Sequence, residues 1–201
     1  IATVKATDDP DTIGPVDIVM FCVKLYDVEE AAELCKPLIG PDTAVISFLN
    51  GIDSEARIQA ILGEKAVVGG VARIPCHIAE PGVIEHKAPF AELEFGELDG
   101  RDSPRLRAFL QACTEAGITS FLADNIEVSI WLKLAILVPF ANVCCLTRLS
   151  GRIMTEDEDI REVTLAAMRE ILAVAKARGV PLPDDAMQSR IEMMSGFFHA
   201  K

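Results

Sequence analysis

The chain has 201 residues, half of them hydrophobic and a quarter charged, enough to bury a substantial core in one large domain or two small ones. Its 31 acidic and 19 basic side chains leave a formal net charge of −12, which argues against a nucleic-acid binder, because phosphate contacts need clustered Lys and Arg. Cys22, Cys35, Cys76, Cys113, Cys144 and Cys145 form no CxxC pair, and His77, His86 and His199 no HxxxH, so a reduced, cytoplasmic protein without a metal centre is expected.

The chain opens in a strand-like alternation, IATVKAT (1–7), without a leading Met, which predicts that something upstream has been removed. DIVMFCVK (17–24) is a continuous apolar run of strand length, the mark of a strand covered on both faces. A helix follows from Asp27, with Val28, Ala31, Ala32 and Cys35 at helical spacing, until Pro37 and Gly40-Pro41 break it. TAVISFLNG (43–51) reads as a second buried strand ending in an Asn-Gly turn, 54–62 as a helix, and KAVVGGVARIP (65–75) as a third strand. Alternating strands and helices predict parallel pairing with right-handed crossovers.

After Pro75 the pattern changes. GVIEHKA (82–88) and AELEFGEL (91–98) nearly alternate and predict an antiparallel hairpin. Ser103-Pro104 opens a helix over 103–116, and ITSFLA (118–123) is a short strand. From Asn125 everything reads as helix: a long one through Trp131 and Lys133 with Pro139 forcing a kink or break, then one opened by a Thr155/Glu158 capping box. Behind that box Ile160, Val163, Ala167, Ile171 and Val174 make an apolar stripe stopped by Gly179 and Pro181, and a last helix covers 184–198. The apolar run 134–146 is shorter than the about 20 residues a bilayer crossing needs, so no membrane span is expected.

VDIVMFCVKLYD, SFLNGIDSEARI, VVGGVARIPCHIAEPGVIEH and WLKLAILVPFANVCCLTRLSG, in this order, resemble the ketopantoate reductase (2-dehydropantoate 2-reductase) family over essentially the whole chain. The resemblance implies an α/β protein. Residues 1–124 would be a partial NADP-binding Rossmann domain lacking its first strand and Gly-rich turn. Residues 125–201 would be an all-helical substrate and dimerisation domain lacking its C-terminal part. It also implies reduction of 2-dehydropantoate to pantoate with NADPH, the pantothenate route, by a homodimer.

Lys133 matches the family's catalytic lysine. Hydride delivery to a ketone builds negative charge on oxygen, and an ammonium with apolar flanks can stabilise it and give the proton; by itself it also reads as a snorkelling lysine at a helix surface. Asn50 ends a buried strand, where open α/β sheets bind ligands, and the resemblance gives it contacts to cofactor and substrate; a turn asparagine with a left-handed backbone is the plain alternative. Lys24 ends the preceding strand; the resemblance places it near the cofactor's adenosine ribose and 2′-phosphate, while a solvated strand-end lysine explains it equally well. The family's substrate-binding asparagines align to Leu137, Ala141 and Ser150, so Ser150 is the remaining polar substrate contact, and Asn142 is one step, about 100°, off the helix face. A more apolar pocket suits another 2-oxo acid or a bulkier ketone. A nucleotide-binding sensor without catalysis, or a helical dimerisation module, are the other readings.

Overall fold

The computed structural model describes residues 4–86 and 90–199 (197–199 by backbone), and the chain divides into two compact units, Ile1–Ile126 and Glu127–Lys201. Residues 1–3 of the expected opening strand, and Lys87 and Ala88 of the expected hairpin, lie outside the described residues; residues 4–7 form no strand.

In the first unit, β1 (Val16–Phe21), α1 (Val28–Cys35), β2 (Ile39–Ser47), α2 (Ser54–Leu62) and β3 (Val67–Arg73) alternate, and the three strands pair in parallel. Both faces of the sheet are covered because β2 sends its side chains both ways. Val45 and Leu49 pack with Phe21, Val28, Ala32 and Ile58 on the α1–α2 side, while Ala44, Ile46 and Phe48 pack with Val68, Phe95 and Leu106 on the other. β2 starts earlier than expected, at Ile39, with Gly40-Pro41 inside it. The proline sits near the strand's start, where a missing N–H is tolerated.

The remaining strands correct the expected hairpin. β4 (Cys76–Glu80) pairs with β5 (Val83–His86), and β6 (Glu92–Glu97) joins the main sheet antiparallel to β3, from Val68↔Glu97 to Arg73↔Glu92. The turn is Pro81-Gly82, with Gly82 at φ 84°, the left-handed position that glycine fills at no steric cost. α3 (Pro104–Glu115) is capped by Ser103, whose hydroxyl accepts from the Leu106 N–H, and leads to β7 (Thr119–Leu122), parallel to β6. The five-stranded order is therefore β1-β2-β3-β6-β7. Phe95 and Phe109 meet at 4.9 Å between ring centroids on the α3 face.

The second unit is helical: α4 (Ile126–Thr147), α5 (Ile153–Glu156), α6 (Glu158–Ala177) and α7 (Ala186–His199). Pro139 lies inside α4 without ending it. Ile126 is buried at its start, and from Trp131 onward its buried positions are Trp131, Ala135, Pro139 and Val143, four residues apart. The cap of α6 is Asp157, which accepts from the Ile160 N–H at 2.9 Å, not Thr155, whose hydroxyl donates to the Arg152 carbonyl because α5 already occupies that segment. The expected α6 stripe also shifts: Val163 and Val174 face solvent, while Thr164, Met168 and Ala175 are buried. Gly179 closes the helix in a Schellman motif, with its N–H donating to the Lys176 carbonyl and that of Val180 to Ala175. Because α4 extends back to Ile126, it is long and apolar enough to cross a membrane, with mean hydropathy 1.9, a measure that core helices of soluble proteins also meet.

Candidate functional site

The C-terminal ends of β1, β2 and β3 share one edge of the sheet, since these strands are parallel. Lys24 lies just past β1, exposed and extended (φ −83°, ψ 152°), and its carbonyl accepts from Asp27 N–H at 2.9 Å in a short turn. Asn50 lies just past β2 and is also exposed. The two turns are neighbours: a Cβ placed on Gly51 would lie 3.7 Å from Leu25 Cδ2. The structure thus brings Lys24 and Asn50 to the same edge. The left-handed residue of the second turn is Gly51, at φ 116°, and Asn50 is not left-handed. A left-handed backbone therefore does not account for the asparagine at this position.

Beneath Asn50 is a polar cluster that the sequence reading passed over. Ser47, the last residue of β2, and Ser54, the first of α2, are both buried, with hydroxyls 2.9 Å apart. Ser54 Oγ donates to Glu55 Oε2 at 3.0 Å, and Glu55 is only 8% exposed. Burial pushes the Glu55 carboxyl above its ordinary value, against the lowering pull of its own backbone N–H and the two hydroxyls; the Asp53 charge pushes it further up. In sequence Asp-Ser-Glu after Asn-Gly reads as an ordinary exposed helix start, so no local signal marks the burial.

An exposed ammonium and an exposed carboxamide at adjacent parallel-strand ends suit a nicotinamide nucleotide, the cation for phosphate and the amide for carbonyl or carboxamide groups. Lys24 and Asn50 are therefore the residues at this edge that would contact such a cofactor.

Lys133 and Ser150 belong to the second unit. Lys133 is half-buried on α4, two residues and about 200° from Trp131, so it projects away from the buried stripe. Leu137 and Ala141 follow on the Lys133 side, about 40° and 80° round. Trp131 itself is fixed from the far side by Arg178, whose guanidinium lies 5.8 Å from the ring centroid. Ser150 is exposed in the turn after α4, which Arg148 opens at φ 59°.

An open, mostly parallel sheet with helices on both faces, with Lys24 and Asn50 past its C-terminal strand ends, defines a Rossmann-type unit, and a helical unit follows it in the chain. Residues 1–100 match the family model "Ketopantoate reductase PanE/ApbA" and residues 125–196 its C-terminal companion. The chain belongs to the ketopantoate reductase family. It is 28% identical to an uncharacterized oxidoreductase of Bacillus subtilis, over 94% of this chain and 62% of that protein. It is 25% identical to the 2-dehydropantoate 2-reductase of Mesorhizobium japonicum, over 91% of this chain and 62% of that one. The crystal structure of the Geobacter metallireducens 2-dehydropantoate 2-reductase superposes with a TM-score of 0.85 at 25% identity, covering 96% of this chain and 64% of that one. The chain thus spans less than two thirds of the length of these relatives.

Proposed function

We propose that the protein is an NADPH-dependent reductase of a 2-oxo acid or related ketone, with pantoate formation as the family's route, working as a homodimer in the cytoplasm. The observation that carries the reading is the juxtaposition of Lys24 and Asn50 on the edge of the sheet where open α/β folds take their ligands. Bound NADPH supplies the hydride for the carbonyl carbon. Lys133 Nζ stabilises the charge that develops on the carbonyl oxygen and transfers a proton to it. The Asn50 amide donates to the cofactor carboxamide or the substrate carbonyl, Lys24 faces the cofactor's 2′-phosphate, and Ser150 contacts the substrate. Six free cysteines agree with a reducing compartment.

Leu137 and Ala141, beside Lys133 where family reductases carry asparagines, favour a substrate less polar than ketopantoate. The same residues support a second reading, a nucleotide-binding protein without turnover. NADPH oxidation followed by absorbance in the natural full-length chain, on ketopantoate and a panel of other 2-oxo acids and ketones, separates the two. On the accepted substrate Lys133→Ala is expected to lower kcat by about 10²–10⁴ with NADPH affinity unchanged. Unchanged kcat would remove Lys133 from the chemistry, and a silent panel with NADPH still bound would leave the non-catalytic reading.

A further inference from the structure

The six residues between Ser47 and Ser54 form the loop that presents Asn50, and a single hydrogen bond between the two serine hydroxyls pins its ends together at 2.9 Å. Both hydroxyls are buried, at 0% and 1% exposure, so no water competes for them. Ser54 donates to Glu55 Oε2 at 3.0 Å, and the Ser47 hydroxyl acts on the same carboxyl, so Glu55 draws on both hydroxyls. The carboxylate therefore ties both ends of the loop into one cluster, Ser47, Ser54 and Glu55. The start of the loop is held from the other side too: a Cβ on Gly70 would come within 2.6 Å of the Ser47 carbonyl oxygen and 2.9 Å of the Phe48 ring. The core on the α1–α2 side holds Phe21, Leu49 and Ile58, and the nearby Asp53 charge opposes ionisation of Glu55 as well. A carboxyl there is a cost to folding, so its presence is not explained by stability.

We propose that Glu55 is a positioning residue for Asn50, acting through the Ser54 and Ser47 hydroxyls to hold the Asn50 loop in the conformation that binds the nicotinamide nucleotide. The inference rests on the reading of Asn50 as a cofactor contact. Without the carboxylate the two hydroxyls lose their common acceptor, and the loop samples conformations in which the amide is misplaced. Glu55→Gln keeps a carbonyl that accepts from Ser54 and preserves the arrangement without the charge.

The test is NADPH affinity, read from nicotinamide fluorescence in the natural full-length chain, for Asn50→Ala, Glu55→Ala, Glu55→Gln, Ser47→Ala and the Asn50→Ala/Glu55→Ala double variant. Loss of a polar contact predicts Kd raised on the order of tenfold for Asn50→Ala and for Glu55→Ala, within about twofold of wild type for Glu55→Gln, and no higher for the double variant than for Asn50→Ala alone. A Glu55 that only shapes the fold would move the melting temperature and leave this coupling at zero. Wild-type affinity in Glu55→Ala beside a weakened Asn50→Ala would overturn the proposal, as would Glu55 and Asn50 factors that simply multiply. Wild-type affinity in Asn50→Ala would instead remove the cofactor reading of Asn50, and this inference with it. Should Glu55→Ala fail to fold, Ser47→Ala breaks the same pin and is judged by the same outcomes.

Discussion

Two buried carboxylates sit at opposite edges of the same sheet and are treated in opposite ways. Glu97 ends β6 beside the N-terminal ends of β2 and β3, and its side chain is only 3% exposed. Arg105 from α3 grips both its oxygens at 2.7 Å and also donates to the Thr43 carbonyl at 2.8 Å. Burial alone would raise the Glu97 carboxyl, but the Arg105 and Ser103 hydrogen bonds and the Arg105 and Arg101 charges outweigh it and hold the group below its ordinary value. Glu55, at the C-terminal edge, has hydroxyls where Glu97 has guanidinium groups, and its carboxyl is pushed up. The first corner ties α3 to two strands and is built to hold; the second sits under the loop that carries Asn50. The guanidinium-paired carboxylate and the hydroxyl-bound one occupy different ends of one sheet.

The largest effect is expected at the first corner. Glu97→Ala leaves the Arg105 guanidinium, itself 12% exposed, without its carboxylate, and should destabilise the fold by about 3–5 kcal/mol in urea unfolding, since an unpaired buried charge costs more than the pair contributes. A loss below about 1 kcal/mol would show that water reaches Arg105 and that the corner is an ordinary surface ion pair. The next effect falls at the second corner through packing. Gly70→Ala places a methyl against the Ser47 carbonyl and the Ile46 and Phe48 side chains, all within 2.9 Å. Backbone cannot yield there as a flexible side chain would, so a cost of about 1–3 kcal/mol is expected together with weakened NADPH binding. Lost stability with wild-type affinity would show that the end of β2 moves without disturbing Asn50.

The parallel core was legible because its signal is local. Apolar runs of strand length, separated by helical spacing, force burial on both faces; β3 falls within its run, β1 overlaps its run, and β2 overlaps its run but starts four residues earlier. The caps at Ser103 and Gly179 were legible for the same reason. What failed depends on partners distant in sequence: 91–98 alternates like a hairpin arm, yet β6 is claimed by β3, because Gly96 lets Ile126 approach and Phe95 fills the α3 face. On α6 apolar residues lie on more than one face, so only the neighbouring helices decide that Met168 is buried and Val163 is not. The positions of Lys24 and Asn50 past the ends of β1 and β2 were legible because each follows an apolar run of strand length. The cluster of Ser47, Ser54 and Glu55 was not, since nothing in Asp-Ser-Glu distinguishes a buried helix start from a solvated one until β2 and α2 are docked.

The smallest effect separates the two corners by sign. A carboxyl whose folded value is raised adds stability that is complete below its unfolded value, near 4.5 for Glu, and that is lost as pH rises through the folded value; a lowered one does the reverse. Glu55 therefore weakens the fold as pH rises above about 4.5, while Glu97 weakens it as pH falls below that point. Glu55→Gln removes the first dependence and leaves the second. In denaturant midpoints measured from pH 4 to pH 8, the variant should match or trail wild type at the acid end, gain on it as pH rises through the raised folded value, and keep that gain above it. Because the amide still accepts from Ser54, this gain should come without loss of NADPH affinity, dividing the cost of the Glu55 charge from the geometry it imposes. Parallel pH profiles would mean that Glu55 titrates as a solvated carboxyl, and that the second corner is open to water in a way its burial contradicts.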